Sequence, residues 1–304
     1  MSPLHRVLLD TDIGTDVDDL MALALILGSP EIELVGVTTV YGDTRLRAQL
    51  TARVLATAGR SVPIHAGESA TLSGREVWWA GHEGVLHADL DDEHYESDDA
   101  VQFLVDTVLS APGEIDLIAI GPLTNVARAI AAHPSFAGSL RHLWVMGGAF
   151  TSEEPEHNFR SDAAAARIVF AAGIPTTVTG LEVTRQIHIG SAELTRIAES
   201  GRLGRIVQSE IEQWWRFWNE EWNVPHDPVT VLTLTRPRMF RFSEYGVVAI
   251  DGGDEDGVSR FLPGQDGRTR ITVGLDAPAT ALAIVDGIVA GSGSDAETAA
   301  GRSA

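Results

Sequence analysis

The sequence contains no cysteine and no lysine; its 22 basic residues are all arginine, against 43 acidic residues and a net charge of −21. Without thiols, disulfides and thiolate metal centres are excluded, so any metal site must use oxygen or imidazole. Without lysine, Schiff-base chemistry and lysine phosphate clamps are excluded. The negative field disfavours nucleic acid and anionic membrane surfaces as partners. Apolar runs are short, none approaching the roughly 20 residues of a membrane helix. The opening Met1-Ser2-Pro3-Leu4-His5-Arg6 lacks the apolar core of a signal peptide, so a cytoplasmic protein is expected. With 304 residues, 44% of them hydrophobic, the chain can bury a large core. The expected organisation is one catalytic domain over residues 1–290, followed by a disordered tail of small and charged residues over 291–304.

Acid is concentrated near the N-terminus. The stretch from Asp10 to Asp19 holds five carboxylates, Asp10, Asp12, Asp16, Asp18 and Asp19, and no positive charge. It follows Val7-Leu8-Leu9, a short buried strand by pattern, and precedes Leu20 to Leu27, a buried helix that stops at Gly28-Ser29-Pro30. At about 5 Å and an effective dielectric near 20, each carboxylate pair repels by roughly 3 kcal/mol. A helix N-terminus returns only about 0.3–1 kcal/mol per anion. Either some of these groups hold protons or a cation sits among them, and the hard oxygen donors select Ca²⁺ or Mg²⁺, with an irregular cage favouring Ca²⁺. An EF-hand loop does not fit, because glycine falls at its fifth position and Met21 at its twelfth. A simple helix cap would account for one of Asp18 and Asp19, not for the whole cluster.

Strand-like and helix-like patterns then alternate. Strands are predicted at Leu34 to Val40, Asp116 to Ile120, Leu143 to Met146 and Thr176 to Thr179. Helices are predicted at Thr44 to Ala58, Thr124 to Ala132 and Ala163 to Ala171. This alternation implies parallel βαβ units, an α/β fold with an open, mostly parallel sheet and a site at the carboxyl ends of its strands. The acidic turn, Tyr41-Gly42-Asp43, Gly121-Pro122-Leu123-Thr124-Asn125 and Gly147-Gly148-Ala149 all fall at such ends. Two segments break the pattern. Gly67 to Asp99 is a long acidic connection, read as a solvated surface loop or, through His82 and Glu83, as part of a lid. Ile206 to Asn223 is a helical stretch in which Trp214, Trp218 and Trp222 share a stripe, read as core or, for Trp218 and Trp222, as a stacking surface for a base. His226-Asp227-Pro228 follows, either as a turn with Asp227 as helix cap or as a further carboxylate with an imidazole that exchanges protons near neutral pH.

Asp-Thr-Asp-x-Gly, the Asp-Asp before an apolar helix, Gly-Val-Thr-Thr-Val-x-Gly, Gly-Pro-Leu-Thr-Asn, Met-Gly-Gly-Ala-Phe and His-Asp-Pro occur in that order between residues 6 and 235. Together they resemble the nucleoside hydrolase family of the inosine–uridine-preferring type. The resemblance implies a Rossmann-related sheet, a bound Ca²⁺ and hydrolysis of ribonucleosides to ribose and free base. It implies a homodimer or homotetramer acting on a small-molecule nucleoside. By position, Asp12 resembles the carboxylate that binds the ion and activates its water, Asp19 a bidentate ligand and Asp227 a late ligand. The main-chain oxygen of Ile120 completes the set, with Asp16 as a substitute in a turn two residues longer than the commoner form. Asp18 resembles the residue that grips the 2′-hydroxyl, Glu156 and Asn158 match the ribose-binding Glu-x-Asn, and Asp43 stands at a further substrate position where many members carry asparagine. His226 resembles the group that, in part of the family, protonates or polarises the leaving base, and is expected as its general acid. The segment between Phe150 and Glu156 lacks the Gly-Asn that usually holds the 5′-hydroxyl.

Two other readings compete. A haloacid dehalogenase-type phosphatase also begins strand-Asp-x-Asp-x-Gly, but it normally needs a downstream lysine, which this chain lacks. A binding protein that keeps the cation cage without turnover is the non-enzymatic alternative.

Overall fold

Val7, Leu8 and Leu9 are wholly buried at the centre of the sheet, as their apolar run requires. A computed structural model describes residues 4–251, 257–264 and 266–292. Among these, ten strands form one sheet: β1 (His5–Thr11), β2 (Ile32–Thr39), β3 (Ile64–Ala66), β4 (Ile115–Ala119), β5 (His142–Met146), β6 (Thr176–Thr179), β7 (Phe240–Phe242), β8 (Gly246–Ile250), β9 (Ser259–Pro263) and β10 (Thr269–Leu275). The order is β3-β2-β1-β4-β5-β6-β10-β8-β9, with β7 paired to β10 off this path. β1 to β6 and β10 run parallel, whereas β7, β8 and β9 join antiparallel.

Helices cover both faces. Asp18–Leu27, Arg202–Trp218, His226–Thr235 and Ala277–Gly291 contribute to one apolar core, and Ala100–Ser110, Thr124–Ala132 and Ala163–Ala171 to the other. From Leu20 to Ile26 every residue of the first helix is buried. Its end meets the last helix so closely that a Cβ on Gly28 would lie 1.9 Å from the Gly287 carbonyl oxygen, so only glycine fits there.

The chain leaves β1 toward β2 and β3, then returns to place β4, β5 and β6 on the other side of β1. The direction of winding reverses between β1 and β4, and in parallel sheets the crevice at such a reversal is where ligands bind. The turn after β1 is the acidic one, and the residue after β4 is Ile120.

The strands and helices expected up to residue 179 are present with ends shifted by at most two residues. The helix expected over 206–223 instead spans Arg202–Trp218. It ends because Asn219 turns left-handed (φ 56°), which leaves Trp222 outside it. Gly291 and Ser292, expected in the tail, close the last helix, while residues 293–304 lie outside the described residues. No described helix is long and apolar enough to cross a membrane.

Candidate active site

At the β1–β4 reversal a cavity of about 740 Å³ opens, lined at its floor by Asp12, Asp16, Asp18, Asp19, Asp227 and Ile120. Asp12 lies just past the end of β1. Asp18 and Asp19 are the first residues of their helix, and Asp227 lies in the first turn of His226–Thr235. Oxygens of Asp18, Asp19 and Asp227 lie within 4.8 Å of one another, all three residues buried. The Asp227 amide donates to Asp18 Oδ2 at 3.3 Å, and the Thr11 hydroxyl donates to Asp19 Oδ1. Asp12 stands beside this trio, its charge acting on all three. A Cβ on Gly121 would come within 2.7 Å of Asp12 Oδ1, so the glycine after Ile120 keeps space for that carboxylate.

Burial pushes every one of these carboxyl groups upward. Repulsion adds to burial: Asp12 and Asp18 act on Asp19, and Asp18, Asp19, Asp12 and Asp16 act on Asp227. Asp16 is raised to about 7. A group of hard oxygen donors held together against their own repulsion is suited to a metal ion, and Asp18, Asp19 and Asp227, with the Ile120 carbonyl on the same floor, supply such a donor set.

Above the floor, Asn158 donates to the carbonyls of Ile120 (2.8 Å) and Met146 (3.3 Å), bridging the ends of β4 and β5. Glu156 caps the short helix His157–Ser161, accepting from the amides of Asn158, Gly148 and Phe159 at 2.8, 3.0 and 3.1 Å. Three of its roughly four acceptor positions are thereby used. On the wall beside Asp227, His226 Nδ1 pairs with Thr184 Oγ1 at 2.7 Å. Burial first, and the nearby Arg185 charge second, lower its pKa to about 4. Near pH 7 the imidazole is therefore held toward its neutral form, in which a ring N–H can still polarise or protonate a leaving base.

A sequence profile of the inosine-uridine preferring nucleoside hydrolases matches residues 7–282. This chain belongs to the nucleoside hydrolase family. A probable uridine nucleosidase 1 of Oryza sativa subsp. japonica is 32% identical over 270 residues, which are 82% of each chain. A plant nucleoside hydrolase of known structure superposes with a TM-score of 0.84 at 26% identity, covering 94% of this chain and 99% of the other. The purine-preferring ribonucleoside hydrolase from Gardnerella vaginalis shares the fold, with a TM-score of 0.86 at 24% identity, covering 94% and 99%.

Several expectations for this nucleoside hydrolase change. Asp43 is exposed and caps the helix Thr44–Thr57, accepting from the Leu46 amide at 3.1 Å, and does not line the cavity. Trp222 also stays outside the cavity, packing on His188 with ring centroids 4.2 Å apart. Trp214 and Trp218 do line it; the tryptophan committed to the core is Trp215, whose indole donates to Asn223. Asp227 is no cap, since Pro225 holds the cap position, and neither Asp18 nor Asp19 caps a helix that starts from Val17.

The 67–99 segment is seated rather than solvated at His82-Glu83. Glu83 is buried and accepts from the Thr15 hydroxyl and the amides of Ala80 and Gly81, while His82 Nε2 pairs with the Thr15 carbonyl at 2.9 Å. Its start is fastened by Asp162, which accepts from the amides of Leu72 and Ser73. Tyr41, expected at a strand end, lines the cavity, and Trp78, His157 and Arg185 also line it and were not anticipated. Nor was Arg47, which lies behind the cavity and for which the sequence carries a signal. It falls on the buried stripe of its helix with Thr51, Val54 and Leu55.

Proposed function

We propose that this nucleoside hydrolase cleaves the N-glycosidic bond of ribonucleosides to ribose and free base, with Ca²⁺ as its resident ion. The observation that carries the reading is the buried trio Asp18, Asp19 and Asp227 at the floor of the cavity that also holds Asp12, Asn158 and His226. Asp12, Asp19 and Asp227 with the Ile120 carbonyl would hold the ion, with Asp18 beside them and Asp16 as a substitute ligand. When bound, Ca²⁺ orients the sugar diol and acidifies water. Asp12 takes the proton of the attacking water, Asp18 and Asp227 grip the ribose hydroxyls, and Asn158 adds a contact from the strand ends. The floor carboxylates favour the positive charge that develops on the ribosyl carbon. Water attacks that carbon, the glycosidic electron pair leaves with the base, and the neutral His226 stabilises the departing base by a hydrogen bond. Trp218 stacks on the base. No covalent ribosyl–enzyme intermediate is formed. Glu156 serves chiefly to fix the Asn158 backbone, because its carboxylate is already largely occupied.

The protein would act in the cytoplasm as a homodimer or homotetramer, as one catalytic unit through the last helix. The deciding experiment is reducing-sugar release from a ribonucleoside panel headed by uridine, the substrate in the rice relative's name, with and without chelator. Chelator-sensitive sugar release supports the reading; phosphate release from phosphate esters, or tight nucleoside binding without turnover, overturns it.

A further inference from the structure

Arg47 is a buried cation behind the acidic turn, with only 1% of its surface exposed. It projects from the helix Thr44–Thr57 toward the ends of β1 and β2. Its Nε donates to the Tyr41 carbonyl at 2.7 Å, and its Nη1 to the carbonyls of Ile13 (2.8 Å) and Asp12. Its Nη2 donates to the Thr15 hydroxyl at 3.0 Å. The Trp79 ring covers the guanidinium at 5.0 Å.

The acceptors explain the placement. Asp12 and Ile13 lie past the end of β1, and Tyr41 past the end of β2 in the left-handed region (φ 70°), a conformation unfavourable for a bulky residue. Tyr41 therefore needs external fixing, and Arg47 reaches it and the turn with one fork. Asp12, Thr15 and Tyr41 all line the cavity, so a single side chain holds three of its lining residues from outside. The fork bonds the Asp12 carbonyl rather than its carboxylate, which stays directed at the Gly121 side of the cavity. Thr15 belongs to the lengthened part of the turn, and its hydroxyl also binds Glu83 while its carbonyl meets His82.

We propose that Arg47 is a positioning residue of the hydrolytic site: it fixes the lengthened acidic turn in its ion-binding shape and joins it to the β2 end without touching substrate. The proposal rests on the Ca²⁺-dependent reading above. It makes a prediction of counterintuitive sign. By charge alone, deleting a cation near a Ca²⁺ site would tighten Ca²⁺ binding. If fixing the turn dominates, deletion weakens it instead.

The test uses the full chain with Arg47→Met and Arg47→Lys, the latter keeping the charge and losing the fork. Calorimetry should show the Ca²⁺ Kd at least tenfold weaker in both variants, with kcat for uridine reduced more than KM is raised. Hydrogen exchange of peptides covering residues 12–16 should quicken in both, with and without Ca²⁺, while peptides from β4 and β5 stay protected. Arg47→Lys covers the case in which Arg47→Met does not fold. Wild-type Ca²⁺ affinity and unchanged turn exchange, with only a lowered Tm, would reduce Arg47 to a structural residue and overturn the proposal. Tighter Ca²⁺ binding in Arg47→Met, or wild-type behaviour of Arg47→Lys, overturns it as well. If the wild type neither binds Ca²⁺ nor cleaves nucleosides but exchange at 12–16 still quickens in the variants, the functional reading fails and the positioning of the turn stands.

Discussion

The Thr184 hydroxyl and His226 Nδ1 lie 2.7 Å apart, which fixes the imidazole ring from the side away from its second nitrogen. The same hydroxyl can donate to the Leu181 carbonyl at 3.4 Å; when it donates to Nδ1 instead, Nε2 carries the ring proton and is the donor available to a leaving base. Replacing His226 by Ala should lower kcat for natural nucleosides by about 10²-fold, the scale of one lost donor to a developing anion. A riboside of p-nitrophenol, whose anion needs no such help, should lose far less. Steady-state rates on the two substrates check this; equal losses would remove His226 from leaving-group stabilisation.

Asp12→Asn should lower kcat by about 10³-fold, within the range for loss of a general base, while the protein still binds nucleoside. Single-turnover rates and equilibrium binding separate the two effects.

Chelation should make the stability of the protein depend on pH in a defined direction. Burial raises Asp10 and Asp16 to about 7 in the fold and lifts Asp18, Asp19 and Asp227 well above their ordinary value. Between pH 4 and 7 the folded chain thus holds protons that the unfolded chain has released, so stability falls as pH rises through this window. His142 and His226, lowered to about 4, and the lowered His65 and Glu154 act in the opposite sense, but they are outnumbered by the raised carboxyls, which also include Asp12, Glu156 and Glu182. Tm of the metal-free protein should rise as pH is lowered from 7 toward 5. Adding Ca²⁺ at pH 7 should release protons, detected by calorimetry in buffers of different ionisation enthalpy. A metal-free Tm that increases toward pH 7 would contradict the raised pKa values.

The tryptophans give a paired comparison. Trp218 lines the cavity but is 54% exposed, so its deletion should cost the lower end of base-stacking energies, about 1 kcal/mol or roughly fivefold in KM. Trp222→Ala, outside the cavity, should leave kcat and KM unchanged.

How far the sequence reveals this site depends on the kind of residue. Asp12, Asp18 and Asp19 are legible because clustered carboxylates are an electrostatic anomaly that nothing local resolves, whereas Asp227, far away in sequence, is legible only through the resemblance of its His-Asp-Pro motif. The parallel sheet is legible because apolar strands and helices alternate at fixed spacing. β3 and β7 to β10 escape notice because most are short, and Arg241, Arg260 and Arg270 break the apolar runs of β7, β9 and β10. Asp43 misleads because its motif position is right while its side chain is used for capping. Trp222 misleads because helical spacing continues in the sequence past Trp218, where Asn219 ends the helix. Tyr41, Trp78 and Arg185 come from three segments distant in sequence, and only the fold brings them to one cavity.

The contact between Gly28 and Gly287 joins the helix that carries Asp18 and Asp19 to the last described helix of the chain. During synthesis this helix emerges well before the surface that covers it at Leu25, which the last described helix supplies. A growing chain therefore exposes the apolar back of its acid-bearing helix until the segment around Gly287 has emerged, the situation in which chaperones engage a polypeptide.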